Sequence, residues 1–68
     1  MLSNLKKEME TKEMTYRELG ELLGITERSV YSKINEHSDF VLSEIRKIRK
    51  FVFPQFSFDY LFKSDASA

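Results

Sequence analysis

Apolar positions recur every three or four residues along most of the chain, the spacing of helices that each bury one face. Leu2, Leu5 and Met9 set this rhythm at the N-terminus and predict a first helix over Asn4 to Lys12, with Ser3 as its cap. Thr15-Tyr16-Arg17-Glu18 follows, the pattern of a capping box, in which a threonine oxygen takes a backbone N–H and the glutamate reaches back to the threonine's own N–H. A second helix is expected from Tyr16 to Leu23, with Leu19, Leu22 and Leu23 inward and Gly24 ending it in a left-handed backbone. Thr26 repeats the capping signal. The third helix, Glu27 to Asn35, turns Val30 and Ile34 inward and Glu27, Arg28, Ser29, Ser32 and Lys33 outward. After a polar loop over Asn35 to Asp39, a fourth helix is predicted from Leu42 to Val52, burying Leu42, Ile45 and Ile48 and exposing Arg46, Lys47, Arg49 and Lys50. Pro54 closes it. Ser57 is placed to cap a short fifth helix, Phe58 to Lys63, and residues 64–68 read as a frayed tail. The pattern is that of an all-α domain of five short helices.

The last third carries a competing signal. Phe56, Phe58, Tyr60 and Phe62 alternate as in a strand, whereas Phe58, Leu61 and Phe62 suit one side of a helix. A lone strand lacks a partner in a helical chain unless it pairs across a dimer, so the helix is preferred. Six phenylalanine and tyrosine rings over Phe51 to Phe62 exceed what one short segment aims inward. Most are expected to fill the core. Phe53 and Tyr60 are expected at the surface, where they mark a contact with another chain, including a homodimer through this aromatic segment.

Composition narrows the possibilities. With 68 residues and no cysteine, the chain is a single domain without disulfides or thiolate metal sites. Its one histidine, His37, falls in the loop after the third helix and is assigned no chemistry. No run is apolar enough for a membrane span and the charged start is unlike a signal peptide, which leads to the expectation of an intracellular protein. No glycine-rich phosphate cradle, metal-ligand cluster or nucleophile–base pair is present, so neither an enzyme nor a cofactor is expected. Eleven basic residues balance eleven acidic ones. Small DNA-binding domains generally carry a basic excess, because phosphate neutralisation supplies much of their affinity. Here the charge is polarised: Glu8, Glu10 and Glu13 lie early, and Arg46, Lys47, Arg49 and Lys50 late.

The middle of the chain is the most informative part. Two helices meeting at a tight corner need a small residue where they cross, a sharp turn and an apolar plug behind it. Gly20, Gly24 and Ile25 meet those needs, and Val30 packs the second helix on the first. This leaves the start of the second helix projecting, as a major-groove reader requires. The segment Met14 to Asn35, MTYRELGELLGITERSVYSKIN, resembles the helix-turn-helix of the lambda-repressor and Cro type. FVLSEIRKIRKFV resembles that family's fourth helix and FSFDYLF its fifth, so the likeness covers about Leu5 to Phe62.

The resemblance implies a cytoplasmic regulator of a phage genetic switch in a bacterial host. By position, Thr15, Tyr16 and Arg17 fall where the family's second helix meets the DNA backbone. Thr26, Glu27, Arg28 and Ser29 fall at the base-reading start of the third helix, and Ser32 and Lys33 at further base and phosphate contacts. Two glutamines common in the family are replaced here by Tyr16 and Glu27. Arg28 can grip guanine O6 and N7 together, and Glu27 can accept from cytosine N4. Glu27 has an equally simple reading as a first-turn acid that stabilises its helix by roughly 0.3–1 kcal/mol. Two functions therefore stay open: a regulator that binds double-stranded operator DNA, or an antirepressor that binds a partner repressor's DNA-reading domain through the same surface.

Overall fold

The computed structural model describes residues 1–65, and within them the chain is all-helical, with no strand. The helices are α1 (Ser3–Thr11), α2 (Tyr16–Leu23), α3 (Glu27–Ile34), α4 (Leu42–Lys47, continued by a π turn over Ile48–Val52) and α5 (Phe58–Leu61). α2 packs on α3 and α4, and α1 packs on α3 and α5. The core they enclose comprises Leu2, Leu5, Met9, Leu19, Leu23, Val30, Ile34, Ile48, Val52, Phe53 and Leu61.

Three of the expected caps form as anticipated. The Thr15 hydroxyl accepts from the Glu18 N–H at 3.1 Å while the Glu18 carboxylate accepts from the Thr15 N–H at 2.9 Å. Those bonds hold the Glu18 carboxyl below the usual glutamate range, the backbone bond contributing most. Thr26 caps α3 through the Ser29 N–H, and Ser57 caps α5 through the Tyr60 N–H. Ser3, by contrast, lies inside α1, whose first turn has no side-chain cap; its hydroxyl instead donates to Asp65.

Helix ends reveal a feature with no glycine to announce it. α1 and α3 both close with paired bonds around a left-handed residue: Met14 N–H to Met9 O and Glu13 N–H to Glu10 O in one, His37 N–H to Ser32 O and Glu36 N–H to Lys33 O in the other. Glutamate occupies the left-handed position each time, Glu13 at φ 61° and Glu36 at φ 63°. The bonding is that of the Schellman motif, usually built on glycine.

Several expectations about the second half are corrected. Leu42 is 61% exposed rather than buried, because the first turn of α4 faces the rest of the fold through Glu44 and Ile45, and the first α4 residue in the apolar core is Ile48. The π turn, closed by Phe53 N–H to Ile48 O at 2.9 Å, widens the helix so that Val52 and Phe53 both point inward and Phe51 is pushed out to 60% exposure. Phe53 is thus a core residue. Tyr60 is half-buried, its hydroxyl donating to Glu8 at 2.6 Å; that bond raises the phenol's pKa above its ordinary value. The rings left outside are Phe51 and Phe58. α5 forms as a helix but ends at Leu61 rather than Lys63.

The chain ends are tied together rather than loose through residue 65. Leu2 N–H donates to Ile34 O at 2.8 Å, the N-terminal ammonium pairs with Glu36 at 2.9 Å, and Ser64 donates to the same carboxylate at 2.6 Å. The frayed tail expected from residue 64 therefore does not include Ser64 and Asp65, and its remainder, residues 66–68, lies outside the described residues. No helix among the described residues is long and apolar enough to cross a membrane.

Candidate functional site

The corner between α2 and α3 is set by its two glycines in different ways. Gly24 takes φ +73°, a left-handed backbone in open space, so conformation alone selects glycine there. Gly20 has ordinary helical backbone, but a Cβ on it would lie 2.7 Å from the Ile25 carbonyl oxygen and 3.3 Å from Thr26 backbone atoms. The chain leaving the corner crosses α2 in direct contact, and Ile25 N–H returns to Gly20 O at 2.9 Å. Ile25 packs against the core behind the turn. The corner is thereby held from both sides, which fixes the angle at which α3 starts.

On this frame the residues singled out from sequence divide into two groups. Thr15, Arg17, Thr26, Glu27 and Arg28 are exposed, and Ser29 and Ser32 are partly so. Glu27 and Arg28 form the first turn of α3, directly after the Thr26 cap, and no ion pair engages either among the described residues. Arg17 makes only a loose, largely exposed pair with Glu21, one helical turn on, at 3.5 Å. Tyr16 is half-buried, its ring 6.4 Å from that of Tyr31; burial, then Glu10, then Tyr31 raise its pKa. It links the start of α2 to the exposed side of α3.

Lys33 does not belong to the outward surface. Its ammonium donates to Glu44 Oε1 at 2.6 Å, and the two side chains are 14% and 8% exposed. The same Glu44 oxygen accepts the Val41 N–H at 3.0 Å, so this carboxylate caps α4 while clamping α3 to it. The Lys33 ammonium also sits 5.9 Å from the centre of the Phe40 ring. Helix spacing had placed Lys33 beside Ser29 and Ser32, but the loop over Asn35 to Val41 folds α4 back across that flank.

Tyr31 is the residue the sequence reading passed over. It is 56% exposed and lies one turn beyond Glu27 and Arg28 on α3. The i+4 step from Glu27 was the available signal. The resulting surface carries Glu18, Glu21 and Glu27 against Arg17 and Arg28, with a tyrosine among them: mixed, slightly acidic, and shaped by the corner rather than by a pocket. Among the described residues no group of His, Asp or Glu side chains is arranged to hold a metal ion. Comparison with known protein families, curated proteins and solved structures finds no match to this chain.

Proposed function

We propose that this protein is a helix-turn-helix transcriptional regulator of the lambda-repressor and Cro type that seats α3 in the major groove of operator DNA. The observation that supports the reading is the corner itself. A glycine crossing with no room for a Cβ, a left-handed glycine and a threonine cap bring the first turn of α3 out as a rigid projection bearing Arg28. A guanidinium at that place suits bidentate contact with guanine. Thr15 and Arg17 at the start of α2 are the candidates for phosphate contacts, which position a reader without specifying sequence. Tyr31 joins Glu27 and Arg28 as a residue available to base edges or to a thymine methyl.

The reading is tested by selecting duplexes from a random pool with the purified chain and titrating the winners by fluorescence anisotropy. Arg28→Ala is expected to weaken binding by about 1–3 kcal/mol and relax preference at one base pair. Failure to enrich any sequence, together with no measurable binding at low salt, would count against DNA as the target.

One specific observation favours a second reading, the antirepressor. Lys33 is consumed by Glu44 and Arg17 faces Glu21, so α3 offers Arg28 as its lone outward cation beside Glu27. Such a surface complements a basic DNA-reading helix of another protein. Glu27→Lys separates the two: it is expected to strengthen non-specific DNA binding and to weaken docking on a basic partner. Tight, salt-insensitive binding to a repressor's DNA-binding domain would favour this second function.

A further inference from the structure

A second surface lies on α4 and α5, built from residues that the recognition reading leaves unused. Leu42, Ile45 and Phe58 floor an open groove of about 540 Å³, and Arg46, Arg49 and Lys50 stand around it. Leu42 is 61% exposed and Phe58 44% exposed. Such exposed apolar side chains gain free energy when another surface covers them. The rim cations form no ion pair among the described residues; the Lys50 ammonium rests 5.2 Å from the centre of the exposed Phe51 ring.

We propose that this groove docks an acidic amphipathic helix of another protein, apolar side chains entering between Leu42 and Phe58 and carboxylates meeting Arg46, Arg49 and Lys50. Charge selects the occupant. A two-fold pairing of this chain on itself would set one Arg46–Arg49–Lys50 rim against its copy, and like charges brought together oppose association. Bare duplex DNA satisfies the cations but leaves the apolar floor wet. An amphipathic helix with glutamates flanking leucine or phenylalanine satisfies both, the helix-in-groove mode of recognition. None of the residues lining this groove belongs to the α2–α3 corner, so the inference does not depend on what α3 binds.

The test is amide chemical-shift mapping on the full-length, isotope-labelled chain. The probe is a synthetic helical peptide with Leu and Phe on one face and Glu on the other. The controls are the same peptide with Lys for every Glu and a sequence-scrambled acidic peptide. The acidic amphipathic peptide is expected to shift Leu42, Ile45, Arg46, Arg49, Lys50 and Phe58, and the double variant R46E/R49E to weaken it at least tenfold while keeping the wild-type circular dichroism spectrum. Leu42→Ser, a change at an exposed site, is expected to weaken it without affecting folding. Equal binding of the lysine peptide, shifts confined to α2 and α3, or no shifts at all would overturn the proposal. So would concentration-dependent broadening of the same six residues without peptide, which would make a second copy the occupant, or stronger shifts there with duplex DNA.

Discussion

Substituting Gly20 with alanine tests the corner at its tightest point. The added methyl would lie 2.7 Å from the Ile25 carbonyl oxygen, a backbone atom held by the Ile25 N–H bond to Gly20 O and by packing of the half-buried Ile25 side chain against the core. Neither neighbour is a flexible side chain, so the strain falls on the α2–α3 packing, and overpacking of this kind costs about 1–3 kcal/mol. Alanine also favours a helix interior over glycine by about 1 kcal/mol. The net loss is expected to be about 1 kcal/mol, which for a domain of this size lowers Tm by roughly 4–8 °C. Valine adds two methyl carbons and forfeits most of the helix preference, so Gly20→Val is expected to cost about 3 kcal/mol. Gly24 provides the contrast. A Cβ there meets nothing within 4 Å, and only its φ of +73° penalises a side chain. Gly24→Ala should cost about 1 kcal/mol, and Gly24→Asn should recover most of it, whereas Gly20→Asn should recover none. Urea unfolding followed by far-ultraviolet circular dichroism measures all five at constant slope. A Gly20→Ala protein as stable as the parent would refute the close crossing of α2 by the corner.

Four further outcomes are expected. Lys33→Met leaves Glu44 buried without its cation and should destabilise the fold by about 3 kcal/mol, read from urea unfolding; a loss under 0.5 kcal/mol would mean that the α3–α4 clamp is not a structural contact. Thr26→Ala removes the α3 cap and should cost about 1 kcal/mol, with Thr26→Asp restoring it. Glu13→Gly, by relieving a left-handed glutamate that has no side-chain bond among the described residues, should stabilise by roughly 0.5–1 kcal/mol in thermal unfolding. The fourth concerns acid. The folded-state pKa of Glu18 is depressed, so its contribution is present above the ordinary glutamate value of 4.5 and is lost as pH falls through the lower folded value. Glu18→Gln keeps the capping geometry without the charge, so its stability should fall less than the parent's as pH drops below 4.5; parallel acid profiles would contradict the assignment.

The first half of the chain was legible because its signals are local. Thr15 with Glu18, Thr26 with Ser29, and a glycine at position 24 each settle a helix boundary within four residues, and the structure follows them. Gly20 was also readable, since a glycine midway through an amphipathic helix needs a reason and close packing is the common one. What stayed hidden depended on distant partners. Nothing near Lys33 in sequence indicates that Glu44 will fold back on it, and helix periodicity alone puts it outward. The inward assignment of Leu42 failed for a related reason: apolar spacing says which side of a helix is greasy, not where along its length the core begins. Phe53, expected at the surface, is buried because one π turn shifts the phase of the side chains after Ile48. Glu13 and Glu36 hold left-handed positions because the turns around them are fixed by backbone bonds, and no residue type advertised it. On the candidate site, the exposed Glu27 and Arg28 were found from helix start signals, while Tyr31 went unlisted although it shares their face.

The most direct test of the central claim is amide chemical-shift mapping with a duplex selected from a random pool, at several salt concentrations. The expected result is shifts concentrated from Thr15 to Arg17 and from Thr26 to Tyr31, weakening steadily as salt rises, with Lys33 changing little because its ammonium stays on Glu44. A duplex that leaves those residues untouched, or that moves only the Arg46 to Lys50 surface, would contradict the claim that the α2–α3 corner presents the binding surface.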